Sequence, residues 1–442
     1  MNRATLAAGL ARSGLPAGEV SAKAAMFELA LSHADPRGGE PLWAWWVPGR
    51  LEVFGKHTDY AGGRTLVSAV PRGFVVMGRP RSDGLIRVVD VRRRQDVSLT
   101  VAFSPMPPAA YTGWRHYVEV AAGRLARNFP AAPLGADITL ASDLPSAAGM
   151  SSSSALLVAI ATALVRVGGL ERRPEWRANI GGTRDAAGYF ACIENGSSFG
   201  TLAGDAGVGT HGGSEDHAAI LTAVPGQLSA FAFVPMRPLG VYAVPEHWRF
   251  VLAPCGIRAQ KTGAAREAYN RLSAGTRTLL ELWNAAAAQP APSLAAALGT
   301  ESGNIERAEA TMRALVSRSQ IPDWPPDALA RRLDHFIRED GRIPAAVEAF
   351  RTADADRVGA LADASQADAD TLLGNQIPQT IALARAARRL GALASSSFGA
   401  GFGGSVWALV DRDRADAFSR EWHPEAFVAV PGPGVVEIAL DW

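Results

Sequence analysis

The sequence predicts an α+β protein of two intimately packed halves, residues 1–225 and 226–442. Three observations predict it. From Leu42 to Val101 short β-rich runs (LWAWWVP, TLVSAV, GFVVMGRP, LIRVVDV) follow one another with only Gly, Pro and Asp as punctuation, which argues for an antiparallel or mixed sheet. Residues 262–390 are dominated by helical periodicity, interrupted by proline at Pro290–Pro292 and Pro322–Pro326. Strand signals return on both sides of that helical stretch, around 219–255 and again at Ser405–Val410 and Val435–Leu440.

The remaining elements follow in chain order. Residues 1–35 read as an alanine-rich amphipathic helical lead-in, 113–128 as a helix and Ala136–Ala141 as a strand. A turn at Asp143-Leu144-Pro145 leads into a serine-rich helix start at 149–154, and 155–195 are mostly helical. A Gly-rich connection spans 197–214, and a short helix falls near 414–422. There is no internal repeat and no low-complexity linker.

Composition narrows the function classes. Lys and Arg number 44 against 43 Asp and Glu, a formal charge of +1, which excludes a strongly basic nucleic-acid binder or an acidic solvating tail as the whole-chain story. A hydrophobic content of 48% with 20% charged residues reads as soluble and globular. The longest apolar run, Ala155 to Val165, spans about 16 Å as a helix, well short of a bilayer. With no secretory pattern at the start of the chain, the expected compartment is the cytoplasm, with no nucleic-acid or membrane partner; oligomeric state is not readable. Cys192 and Cys255 are too few for a disulfide framework or a thiolate zinc site. Only Lys23, Lys56 and Lys261 are lysines, which makes a lysine inside a motif conspicuous.

Three glycine-rich segments carry most of the chemistry. The first, Pro48-Gly49-Arg50-Leu51-Glu52-Val53-Phe54-Gly55-Lys56-His57-Thr58-Asp59-Tyr60-Ala61-Gly62-Gly63, reads either as a polar hairpin or as a ligand loop dense in hydrogen-bonding side chains. The second runs from Leu144 through Gly149 and Met150 to Ser151, Ser152, Ser153 and Ser154, then into an apolar helix. Four serines exceed what one N-cap needs, and the first-turn N–H groups with the helix dipole make such an end an anion site. The third, Ser395-Ser396-Ser397-Phe398-Gly399-Ala400-Gly401-Phe402-Gly403-Gly404, is either a tight turn into a strand or a backbone that approaches a phosphate closely.

Two familiar phosphate loops are excluded. Gly49 to Gly55 holds one residue too many for a Walker loop, and Lys56 is followed by His57. Gly399, Gly401 and Gly404 satisfy G-x-G-x-x-G, but only 38 residues follow them and the motif precedes a strand instead of following one. His211, Glu215 and His217 together fit no standard metal-ligand spacing.

In this order the three segments resemble the motifs of the GHMP kinases. GRLEVFGKHTDYAGG is similar to the galactokinase signature GRxNxIGEHxDYxGG, SDLPSAAGMSSSSAL to the phosphate motif PxGxGLSSSA, and SSSFGAGFGGSVWALV to TGAGFGGxxxALV. The resemblance implies an N-terminal domain like ribosomal protein S5 domain 2 and a C-terminal ferredoxin-like domain, with ATP and acceptor in the cleft between them. It implies an enzyme, a sugar kinase: ATP-dependent phosphorylation of a monosaccharide hydroxyl, the anomeric C1-OH of galactose or a related sugar. Carried over residue by residue, Gly149, Met150, Ser151, Ser152, Ser153 and Ser154, with Gly399 and Gly401, would wrap the ATP phosphates. Ser153 and Glu194 would ligate Mg²⁺. Asp216, in GSEDH where the family has GIMDQ, and Arg50 would be catalytic; Lys56, His57, Asp59 and Tyr269 would contact the sugar.

The departures from the pattern are specific. Lys56 replaces the glutamate of GEH, Glu52 the asparagine of GRxN, His217 the glutamine of MDQ, Ser396 an arginine, and Phe398 a Thr or Ser. A cation where galactokinases contact the C6 side of the sugar leads to the expectation of a different acceptor, a uronic acid being one case. Other readings are a non-sugar alcohol as acceptor, or a regulator that binds sugar and ATP without turnover.

Overall fold

The computed structural model describes residues 3–34, 42–100, 113–145, 149–257, 263–301 and 305–439. Ser146, Ala147 and Ala148 of the second segment, and Lys261, lie outside them. The chain opens with α1 (Arg3–Arg12) and α2 (Ala17–His33), followed by strands β1 (Trp43–Phe54), β2 (Arg64–Pro80), β3 (Leu85–Asp90) and β4 (Gln95–Thr100). Helix α3 (Trp114–Asn128) and strand β5 (Ala136–Ser142) precede α4 (Ser152–Val167), α5 (Pro174–Arg177) and α6 (Thr183–Asn195). After the glycine-rich connection come α7 (Glu215–Thr222), β6 (Gln227–Ala232), β7 (Arg237–Ala243) and β8 (Trp248–Pro254). The helical stretch holds α8 (Gly263–Ala286), α9 (Leu294–Leu298), α10 (Ile305–Arg318), α11 (Pro326–Arg351), α12 (Ala355–Asp368) and α13 (Pro378–Arg389). The chain closes with β9 (Ala394–Phe398), β10 (Ser405–Asp411), α14 (Ala415–Trp422), β11 (Phe427–Ala429) and β12 (Val436–Ile438).

Two sheets organise the molecule. In the first, β12-β1-β2-β5-β3-β4 lie side by side, and the long β2 has pairing surface left for β6, which carries β7. It is mixed, as the run of strands predicts: β3 and β5 pair in parallel and its other pairs are antiparallel. Helix α4 packs on it and is apolar nearly all round, the signature of a helix buried on every side. The second sheet is antiparallel in the order β11-β8-β10-β9. Taken from β8, the succession strand, helices, strand, strand, helix, strand gives the β-α-β-β-α-β arrangement of a ferredoxin-like unit.

A boundary at residue 225 does not separate these sheets. Strands β6 and β7 follow that point yet extend the first sheet, and the C-terminal β12 returns to pair with β1 through Ala44↔Ile438. Sheet membership is decided by which edge remains open. Local composition does not report it. The third glycine-rich segment also differs from expectation: Ser395, Ser396 and Ser397 belong to strand β9, and only 399–404 form the turn.

Candidate active site

The site grows from a bulge in β1. The register with β2 shifts between Pro48 and Arg50, where a side chain on Gly49 would meet the Met150 carbonyl oxygen at 2.7 Å. That close approach lets the Arg50 N–H donate to Met150 O at 3.2 Å and so ties the first motif to the second. Arg50 and Glu52, two apart on a strand, face the same way. Both line a cavity of about 580 Å³ between the two units.

Arg50 is the hub. Its Nε donates to Oδ1 of Asp216 at 2.7 Å, and Nη2 lies 2.5 Å from the same oxygen. Oε1 of Glu215 is 3.2 Å from Nε, and Oε2 of Glu52 is 3.7 Å from Nη2. Burial alone would lower the guanidinium's affinity for its proton, but Asp216, Glu215 and Glu52 together raise it, so Arg50 is a permanent cation. Asp216 sits in the first turn of α7, where the helix dipole favours a negative charge, and its Oδ2 accepts from Ser154 Oγ at 3.2 Å.

His57, Asp59 and Tyr60 wall one side. His57 adopts a left-handed φ of 56°, uncommon outside glycine, and is held there by Arg332 of α11, whose Nη2 donates to His57 O at 2.7 Å. The His57 ring lies 2.9 Å (Nδ1) from Tyr60 Oη and 3.1 Å (Nε2) from Ala400 O, with the Tyr269 ring 5.3 Å away. Asp59 accepts the Glu215 N–H at 3.1 Å. Burial raises the Asp59 carboxyl above its ordinary range, the Glu215 N–H works against that rise, and the Asp216 charge adds to it. Asp59, His57 and Tyr269 all line the cavity.

The opposite wall is glycine and serine. Gly149 (φ +73°) and Gly399 (φ +85°) lie back to back: a Cβ on Gly399 would sit 2.8 Å from Gly149 O, and one on Gly149 would sit 3.1 Å from Phe398 O. Only glycine satisfies both the left-handed backbone and that spacing. Ser151, itself at φ 55°, and Ser152, Ser153 and Ser154 of the first turn of α4 continue the lining, with Glu194 from the last turn of α6 beside them. This cradle of left-handed backbone, hydroxyls and a helix N-terminus fits a polyphosphate, and Ser153 with Glu194 offers the oxygen donors a Mg²⁺ ion prefers.

Three residues from the sequence reading are not brought into the cavity. Met150 is fully buried in the core, with only its carbonyl engaged. Gly401 packs on Asn375, whose backbone oxygen would lie 2.6 Å from an added Cβ. Lys56 is the informative case. Its Nζ donates to Ser365 Oγ at 2.8 Å and Ser396 Oγ at 2.9 Å, and none of the three residues lines the cavity.

Other residues matter that sequence reasoning gave no role. The Glu52 and Glu215 carboxyls, both beside Arg50, are raised above the ordinary range, chiefly by burial and, for Glu215, next by Glu52. Helix α11 supplies Arg332, Glu339 and Asp340 from one face, all buried, the first two bonded to the first motif and Asp340 to Arg64 just after it. Their spacing of seven and eight residues was the available signal, a charged stripe on a helix.

The Glu52–Glu215 pair has a consequence for pH. With the folded-state value above the unfolded one, the folded protein binds more protons just above the ordinary carboxylate range, so stability falls as pH rises through that window. Glu215→Gln removes the Glu215 share of this loss. It is expected to melt at or above the wild type, with the difference widening from about pH 5 to pH 8. Melting curves across pH check it; a difference that narrows over that range contradicts the raised Glu215 carboxyl.

Comparison with known proteins agrees with this geometry. The GHMP kinases N terminal domain family matches residues 116–190, the GHMP kinases C terminal family residues 346–429, and the galactokinase galactose-binding signature residues 33–80. The chain is 29% identical over 406 residues to a galactokinase of Chloroflexus aurantiacus, covering 90% of each chain. It is 27% identical over 414 residues to one of Streptomyces coelicolor, covering 90% of this chain and 94% of the relative. Lactococcus lactis galactokinase, solved with galactose, superposes with a TM-score of 0.74 at 20% identity over 94% of this chain and 99% of that one. Methanococcus jannaschii mevalonate kinase does so at 0.58 and 14%, over 90% and 99%.

Proposed function

Because the chain belongs to the GHMP kinase superfamily, in its galactokinase-like branch, we propose that it transfers the γ-phosphoryl group of ATP to the anomeric C1-OH of galactose or a closely related monosaccharide. The observation that carries this reading is one cavity with a carboxylate–arginine pair between two unlike walls. One wall is a phosphate cradle, and the other carries Asp59, His57 and Tyr269. A carboxylate such as Asp59 accepts two sugar O–H groups at once, and an aromatic face covers the ring's apolar side.

In this reading the sugar oxygen forms a new bond to γ-phosphorus while the bond from γ-phosphorus to the β–γ bridging oxygen breaks, leaving ADP. The hydroxyl proton goes to Asp216, which Arg50 and Ser154 hold in position. Arg50 also balances charge on the transferring group, where positioning and electrostatics supply most of the catalysis. Ser153 and Glu194 would hold Mg²⁺, which neutralises phosphate charge when bound.

The uronic-acid expectation rested on Lys56, and the lysine does not face the cavity. Galactose or another neutral hexose is the better acceptor. A coupled ADP-release screen over galactose, other aldoses and uronic acids tests this, with NMR assignment of the phosphorylated carbon. Turnover on a uronic acid well above that on every neutral hexose would sink it.

A further inference from the structure

His217 sits in the cavity without a task in the reaction above. Its ring is 2% exposed, and neither Nδ1 nor Nε2 has a hydrogen-bond partner. An unmade hydrogen bond on a buried polar group costs about 1–3 kcal/mol, so such a ring marks a place where a ligand completes the structure. Nε2 lies 3.3 Å from Oε2 of Glu194, and both residues line the cavity together with Ser153. Two donor atoms bound to one divalent ion at about 2.1 Å each stand roughly 3.0–3.4 Å apart, depending on the angle between them. Among the described residues no group of three or more His, Cys, Asp or Glu could hold a metal. A cation bound here therefore needs further ligands from outside the chain, which the phosphates of a nucleotide supply.

We propose that His217 is a nitrogen ligand, beside Glu194, for the divalent cation that accompanies the nucleotide, and that it tunes the site from Mg²⁺ toward Mn²⁺. The inference rests on the ATP reading above. Mg²⁺ takes oxygen ligands and gives up its waters reluctantly, whereas first-row transition ions accept imidazole readily. Mn²⁺ accepts both the carboxylate and phosphate oxygens of this site and the ring nitrogen.

The test uses the full chain with Mn²⁺ and a non-hydrolysable ATP analogue. Electron spin-echo spectroscopy is expected to show coupling of Mn²⁺ to an imidazole nitrogen in the wild type and none in His217→Gln, which carries the residue galactokinases have in MDQ. By calorimetry, His217→Gln should weaken Mn²⁺ binding in the presence of the analogue by about tenfold, the lower end of what metal-site changes cost. Mg²⁺ binding should change less than about twofold, since Mg²⁺ gains little from imidazole. Analogue binding without nitrogen coupling in the wild type, or equal Mn²⁺ affinity in both proteins, would overturn the inference alone. If the analogue fails to bind with either metal, the ATP reading falls and takes this inference with it.

Discussion

Asp216→Asn is expected to lower kcat by about 10²–10⁴-fold while the affinities for nucleotide and sugar stay within a few-fold, the range a positioned general base contributes. The geometry makes this a clean substitution. An asparagine oxygen in place of Oδ1 still accepts from Arg50, so the guanidinium keeps its direction, with Glu215 and Glu52 close on its other side. What disappears is the negative charge that takes the acceptor's proton. The binding walls are built from other residues: Asp59, His57 and Tyr269 for the sugar, Gly149, Gly399 and the serines for the phosphates. Calorimetry separates binding from turnover, and single-turnover phosphoryl transfer isolates the chemical step. A rate within about tenfold of the wild type would mean that Asp216 only positions the hydroxyl and that another group or water receives the proton. A protein that binds sugar and ATP without turnover predicts no change at all.

How much of this was legible from the sequence depends on whether the requirement was local. A glycine-rich turn and a serine-rich helix start concern neighbouring residues, so the segments that hold Gly149, Ser151–Ser154 and Gly399 stand out directly as anion-site candidates. Asp216, by contrast, is reached only through the resemblance of GSEDH to the family's GIMDQ. The direction of Lys56 could not be read at all. It is set by Glu339, Ser365 and Ser396, the nearest of them 283 residues away in sequence, and nothing beside Lys56 announces them. Strand β9 was hidden for a similar reason. Its serines look like loop composition, yet the strand is buried throughout because Ser395 Oγ donates to Trp407 O at 2.8 Å and Gln366 accepts from Ser396 and Ser397. One pair of motif departures also becomes a single fact once folded. Lys56 with Ser396 is one exchange, a cation arriving where a glutamate is usual and an arginine leaving beside it.

Lys56→Glu restores the GEH of the galactokinase signature and is nevertheless expected to cost about 3–5 kcal/mol of stability, the range for leaving a buried charge without its partner. The ammonium is 1% exposed and Glu339 is fully buried. Burial lowers the lysine's pKa, and Glu339 and then Glu52 hold it up. The same Glu339 carboxylate accepts the Gly55 N–H at 3.0 Å, the Ser365 hydroxyl at 2.9 Å and Arg342 at 2.8 Å, so its own pKa is lowered, against burial, by Lys56 first and Arg342 second. Reversing the charge at position 56 sets a second carboxylate against Glu339 and Glu52, leaving Arg342 to compensate Glu339 and Arg50 to compensate Glu52. Lys56→Met, which removes the charge while keeping the chain's bulk, should cost less than Lys56→Glu, since it adds no repulsion. Adding Glu339→Gln to Lys56→Glu should recover part of the loss, because the two substitutions share one contact and are not additive. Denaturant unfolding of the four proteins measures these differences. Sugar preference should be unchanged in every variant that folds, since the lysine does not line the cavity. A Lys56→Glu protein that unfolds like the wild type and turns from uronic acids to galactose would show that this ammonium reaches the sugar after all.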